Sequence, residues 1–344
     1  MNINQMKSAI AKFRKADLSV IKDEQLRNKA KKLQGKEKGF TLLELLVVIT
    51  LIAILATGAL IAYEDVGEAA EAASAGNAAA TIDRAIRTYR AVENVYPNQW
   101  DNLVDQAGNP LTFASSAMGS FLASWDVTTS ASANAIISEM FEESGIEELQ
   151  VVNANATLDS AVQPGTAPNR FHNESTGNSA ETELEDGDVF GTGTNGTHLA
   201  VVPTDVCDAN GVPLSIPTTS ITGVTPTNNS LQNQYGDALE GDECHLLIAL
   251  GFGGDAAAST TFSNVAIAQS PTYVRNTGDA DTEVNPEIHY SRYIGLFQAG
   301  VYEGSGGEVD DADASWQWND NLRLIAIVSP DGKNIDELVS EAQQ

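Results

Sequence analysis

One run of apolar positions stands apart from the rest of the chain. From Phe40 to Tyr63 the residues read FTLLELLVVITLIAILATGALIAY, and Glu44 is the only charge among these 24 positions. As a helix rising ~1.5 Å per residue the run is about 36 Å long, enough for a hydrocarbon core of about 30 Å. The residues that follow, EDVGEAAEAASAGNAAATIDRAIRTYRAVENV, are rich in Ala and Glu and contain no proline, so they favour continuation of the same helix. Within them Ile82, Ala85, Ile86, Tyr89 and Val92 recur at spacings of three and four and form one apolar stripe. Residues 66–80 offer mainly alanine, a thin surface suited to neighbouring helices. A single helix from Phe40 to about Glu93 would be roughly 80 Å long, and Pro97 stops it.

Beyond Pro97 the pattern is that of an α+β domain. Ala133–Glu143 places Ile136, Ile137, Met140 and Phe141 on one side of a short helix, with Gly145 as its stop. From about Asn153 to Asn195 the chain is dominated by Asn, Thr, Ser, Gly and acids, the composition of long exposed loops. Leu199–Val202, Cys244–Phe252, Tyr290–Phe297 and Leu322–Val328 are apolar or alternating runs bounded by turn residues and read as strands. Pro330-Asp331-Gly332 is a turn, and Ile335 to Ala342 reads as a closing helix. No repeat of fixed period is evident.

Charge divides the 344 residues at the same place as hydropathy does. Residues 1–39 hold 11 Lys/Arg against 4 Asp/Glu, net +7, whereas residues 40–344 hold 8 against 43, net −35. Lys333 is the only lysine after Lys38. A body this acidic repels nucleic acid phosphates and anionic surfaces, which excludes polyanion binding as its business. A basic flank before an apolar helix and acids after it place the N-terminus inside and the body outside. The apolar run is too long, and its basic flank too extended, for an ordinary cleavable signal peptide, whose apolar region is about 7–15 residues. A plain signal anchor would satisfy the same pattern, but it has no use for Glu44. A carboxylate inside a spanning helix costs on the order of 2.5–3.5 kcal/mol and normally has a specific partner.

Lys38-Gly39-Phe40-Thr41-Leu42-Leu43-Glu44, followed by an unbroken apolar helix, resembles the processing signal of type IV prepilins and type II secretion pseudopilins. The resemblance implies cleavage between Gly39 and Phe40 by a membrane peptidase and methylation of the new N-terminal Phe40. It also implies that Glu44, then the fifth residue, pairs with the terminal amine of a neighbouring subunit. ENVYPNQWDNL resembles the pseudopilin pattern in which the helix ends, Tyr-Pro opens a loop and a short turn closes on leucine. Two features depart from the family. The leader is long, which leaves initiation at Met6 or later open. The proline common in the middle of the family's helix is absent, with Ile61 in its place; Gly58, the nearest helix-weakening residue, marks either a local melt or a close helix contact.

The expected fold is therefore α+β and type IV pilin-like, a long N-terminal helix packed on an antiparallel-sheet head. Its parts would be a cleaved cytoplasmic leader (1–39), a transmembrane half-helix (40–63), a soluble half-helix (64–93) and an acidic extracytoplasmic head (94–344). No P-loop, dinucleotide fingerprint, nucleophile elbow or HExxH is present, so no enzyme is expected. Cys207 and Cys244 form a disulfide candidate in an oxidising exterior, of the kind pilin heads often carry. Zinc held by Cys207, Cys244, His245 and His198 is the alternative, against usual ligand spacing. Two acidic clusters are calcium candidates: Asp279, Asp281 and Glu283, and, slightly favoured, Glu308, Asp310, Asp311 and Asp313. A calcium near the end of the head is also what the pseudopilin resemblance implies. Asn155, Asn173, Asn195 and Asn228 match N-x-Ser/Thr, a frequent pattern in such a composition.

The leading functional expectation is structural, a subunit that waits in the cytoplasmic membrane, is cut after Gly39 and assembles into a pilus or pseudopilus filament. The implied partners are copies of itself or related subunits, a prepilin peptidase, a cytoplasmic assembly ATPase and a membrane platform protein. A minor pilin with an adhesive or glycan-binding head is the second class. A signal-anchored extracytoplasmic domain, enzymatic or not, is the third.

Overall fold

The computed structural model describes residues 3–34, 42–104, 108, 114–151, 182–193, 195–203, 234–235, 239, 244–276, 279, 282–302 and 316–343. The chain forms two units, Met1–Glu64 and Asp65–Gln344.

In the first unit, helix α1 (Ile3–Lys15) and helix α2 (Glu24–Gln34) flank a 3-10 turn at Leu18–Val20. Aspartates start the turn and the second helix: Asp17 accepts from Ser19 N, and Asp23 accepts from Gln25 N at 2.9 Å. The Gln34 side chain donates to the carbonyls of Phe13 (2.7 Å) and Ala16 (2.9 Å), covering two acceptors at the end of α1. Leu18 is buried between these pieces. Helix α3 (Leu42–Glu93) follows and belongs to both units, one unbroken helix of 52 residues.

In the second unit, eight strands form one sheet among the described residues. They are β1 (Trp100–Asn102), β2 (Ala123–Asp126), β3 (Glu148–Val151), β4 (Thr182–Glu183), β5 (His198–Val201), β6 (Cys244–Gly251), β7 (Ile294–Tyr302) and β8 (Trp316–Val328). The long antiparallel ladder β6-β7-β8 is the spine. The other edge of β6 forks, pairing β5 at Ile248 and β1 at Leu250 and Gly251. β5 carries β2, and β1 carries β3 and then β4. Only β1 and β3 run parallel, so the sheet is mixed where an antiparallel one was expected. The chain between them includes α4 (Ala131–Glu143), the kind of long connection a parallel pair requires. The described residues of this unit also include two short helices, α5 (Gly254–Ser259) and α6 (Ile335–Glu341).

The sheet is buried on both faces, which is why β6 reads as a continuous apolar run. Leu246, Ile248 and Leu250 face a core with Ala75, Ala79, Ile82 and Ile86 of α3, Ile137 and Phe141 of α4, and Leu338 of α6. Leu247 and Ala249 face a second core with Leu103, Met118, Phe121, Leu122 and Tyr235. Trp100 lies edge-on to Phe252 and Phe297, with ring centroids 5.2 and 5.1 Å away.

Several sequence expectations shift by a few residues. The strand expected at Tyr290–Phe297 lies at Ile294–Tyr302, because Tyr290 and Ser291 are used as loop residues buried beneath the sheet. The strand expected at Leu322–Val328 begins earlier, at Trp316, in register with Tyr302. The stripe on α3 does not include Val92, which is exposed; it extends the other way, through Ala79 to Ala75. The alanine-rich surface is thus partly spent inside the head. Tyr293 OH donates to Ala75 O at 3.0 Å, and a Cβ on Gly76 would sit 3.2 Å from Val339 of α6. Small residues let α6 approach α3 here.

Candidate assembly site

The site suggested by the sequence is the start of α3. Gly39 and Phe40, the expected cleavage junction, lie outside the described residues. Leu42 opens the helix, and Glu44 lies in its first turn with its side chain exposed. A carboxylate there is favoured by the partial positive charge of the helix N-terminus. The stretch Leu42–Leu60 is 19 residues with a mean hydropathy of 2.5, and none of it is buried. Length and composition suffice for a membrane crossing. The hydroxyls within it are satisfied locally, as hydrocarbon demands. Thr50 donates to Val47 O at 2.8 Å and Thr57 to Ala53 O at 2.9 Å. Glu44 is the one ionisable group in the stretch. Gly58 does not interrupt the helix, and a Cβ there would meet nothing within 4 Å. A free lateral surface around a glycine suits close approach by another helix.

The upper half of α3 is held by the head through groups that the sequence reading passed over. Among the described residues strand β8 pairs only with β7, so its other edge needs cover. Tyr96 OH accepts from Leu324 N at 2.9 Å, and Ser144 Oγ accepts from Leu322 N at 2.8 Å. From α3, Arg87 donates to Leu324 O (3.4 Å) and Ile325 O (3.2 Å) while paired with Asp83 at 2.9 Å. Arg90 lies 4.4 Å from the Tyr96 ring centre and bonds its hydroxyl. The Asp83/Arg87 spacing of four was the available signal, but its second role on a strand edge is tertiary.

ENVYPNQWDNL behaves as its resemblance implies. The helix ends at Glu93, Asn94 takes φ +64°, Tyr96 and Pro97 are buried in the loop, and Leu103 is fully buried. Pro97 O accepts from Trp100 Nε1 at 2.6 Å. Next to it Asp101, also fully buried, accepts from Tyr290 OH at 2.7 Å.

A second cluster ties the closing segment to the loop that carries Tyr273 and Arg275. Asp331 of the expected turn accepts from Tyr273 OH at 2.9 Å and from Arg275 at 2.6 Å. Arg275 reaches Glu341 of α6 at 3.6 Å, and Lys333 pairs with the same carboxylate. Asn334 and Glu337 form a reciprocal cap on α6. Burial, then the Asp331 charge, pushes the Tyr273 hydroxyl well above its ordinary range.

The remaining sequence candidates are only partly placed. Of the disulfide candidate, Cys244 opens β6, and Cys207 lies outside the described residues. Glu308, Asp310, Asp311 and Asp313 also lie outside them, as does Asp281. In the other cluster, Asp279 O accepts from the backbone of Thr282 and Glu283. Among the described residues no group of three or more His, Cys, Asp or Glu is arranged to hold a metal ion. His198 Nδ1 lies 2.6 Å from Thr197 Oγ1, and buried His245 lies 3.1 Å from Gln298. Asn195 accepts from Glu183 N at 3.1 Å, and the other three N-x-Ser/Thr asparagines lie outside the described residues.

Residues 34–60 match the family model of the prokaryotic N-terminal methylation motif. No curated protein and no solved structure matches the chain. The motif is the signature of type IV pilin and pseudopilin precursors, proteins that associate with membranes and assemble into filaments. It points to a structural rather than a catalytic protein, and with the apolar helix it fits a membrane-anchored precursor. The long N-terminal helix and curled mixed sheet agree with the α+β pilin-like architecture.

Proposed function

From a chain that carries this methylation signature at residues 34–60, we infer a structural subunit of a type IV pilus-like or type II secretion pseudopilus filament. The precursor sits in the cytoplasmic membrane with residues 1–39 inside and the acidic head outside. A prepilin peptidase cuts between Gly39 and Phe40 and methylates Phe40. An assembly ATPase and a platform protein then drive the subunit into the filament.

One observation carries this reading: a helix with a carboxylate in its first turn, inside an exposed, mainly apolar stretch of 19 residues, and an upper half built into the core of a head. Bare hydrocarbon is adequate for a lipid tether, but a carboxylate there needs a partner. The processed amine of Phe40 on an adjacent subunit supplies one, neutralising both charges and fixing the axial register. An uncut precursor has no such amine, so processing gates assembly.

Intact mass and N-terminal sequencing of the protein from native membranes and from the sheared surface fraction test this directly. A mature start at methylated Phe40 is expected. An intact leader in every fraction would reduce the protein to a signal-anchored acidic domain.

A further inference from the structure

The leader is more than a charged tail. It holds two helices, and the first has an apolar face that is exposed among the described residues. Met6, Ile10 and Phe13 recur at spacings of four and three along α1 and are 47%, 53% and 40% exposed. At 3.6 residues per turn they share one side, while Lys12 and Lys15 fall roughly opposite. Helix α2 adds Arg27, Lys29, Lys31 and Lys32, and exposes Leu26 beside them. A short helix with an apolar stripe and a basic remainder has the composition of one lying in a membrane interface.

We propose that α1 lies on the cytoplasmic leaflet, with Met6, Ile10 and Phe13 in the headgroup–acyl boundary and the leader's net +7 held by anionic phospholipid headgroups. This rests on the inside-facing leader of the reading above. Two facts choose a lipid surface over another occupant. First, only eight Cα–Cα steps separate Gln34 from Leu42, so the end of α2 stays within about 28 Å of the apolar helix. The bilayer is therefore always within reach, at an effective concentration that a free partner lacks. Second, the sign is right: basic groups within a Debye length of anionic headgroups are attracted, and this chain carries 11 of its 19 Lys/Arg in the leader.

The test uses the full precursor, free of peptidase, reconstituted in vesicles whose acyl chains carry bromine as a contact quencher. Phe13→Trp reports on α1 and Leu51→Trp on the apolar helix, each read against the parent with its four head tryptophans. In phosphatidylglycerol-containing vesicles both added tryptophans should lose emission, the one at 13 more to bromine placed near the headgroups. High salt, or Lys12→Glu with Lys15→Glu, should restore emission at 13 only, and Ile10→Asp should do the same. If the tryptophan at 13 keeps its emission while that at 51 is quenched, the inference is overturned and the membrane-crossing helix stands. If neither is quenched, the crossing itself is wrong. Equal quenching in pure phosphatidylcholine, insensitive to salt, would overturn recognition of anionic lipid. Concentration-dependent burial without quenching would show that a second copy covers the face, and would overturn the proposal.

Discussion

Single atoms decide whether this chain can hold its shape and assemble. Removing the Glu44 carboxylate should leave insertion intact or improved, because an ionisable group inside a spanning helix is costly. In the proposed filament its effect belongs to assembly. When Glu44→Ala and the parent are expressed together, the variant should be processed normally and be depleted from the sheared filament fraction, as measured by mass spectrometry. Equal incorporation would refute the pairing with Phe40. Inside the head, Tyr290→Phe takes a hydroxyl from the buried Asp101 carboxylate. The expected loss is about 2–3 kcal/mol of unfolding free energy by urea titration of the detergent-solubilised protein. Gly145 is the other sensitive point, with φ +76° and a would-be Cβ only 2.6 Å from Val95. Gly145→Ala should cost about 2–4 kcal/mol by the same titration, since left-handed backbone and overlap add.

At the scale of elements, the edge of β8 that side chains rather than a strand cover is the weak place in the sheet. Tyr96→Phe and Ser144→Ala each orphan one backbone N–H, of Leu324 and Leu322, at an expected cost of about 1–3 kcal/mol. The pair together should raise edge-to-edge aggregation of the full chain by light scattering, more than either alone. The elements that the sequence made legible are those with a local signature. The α4 helix was legible from its apolar spacing, β6 from a run buried on both faces, and α6 from the Pro330-Asp331-Gly332 turn before it. What was not legible is tertiary. β1 through β4 are two to four residues long and too short for a periodicity. Val92 continues the stripe by spacing, yet the helix ends at Glu93 and the core lies lower, against Ala75 and Gly76. The methylation motif at residues 34–60 was readable because its residues are contiguous in the chain. The Arg275–Asp331 contact joins residues 56 apart in the chain and left no local trace.

For the molecule as a whole, buried phenols set an upper pH limit. Tyr96, Tyr235, Tyr273, Tyr290 and Tyr293 all have hydroxyls pushed above the ordinary range, first by burial. Above pH about 10 the unfolded chain releases these protons while the folded chain keeps them, so stability is complete below that pH and falls above it. Each such tyrosine contributes up to about 1.4 kcal/mol per pH unit. Phenolate absorbance and far-ultraviolet circular dichroism should therefore change together on alkaline titration, with Tyr235, Tyr273, Tyr290 and Tyr293 ionising as the fold is lost. The proposed cleavage would have a chemical result as well. Residues 1–39 contain nine of the ten lysines, and the tenth, Lys333, is the one engaged with Glu341 beside the Asp331 turn. A chain cut after Gly39 thus offers an acylating reagent just two amines, the one at Phe40 and the ε-amine of Lys333. Amine-directed cross-linkers should fall almost silent on filaments, and a single dye per head would mark the same spot on every subunit.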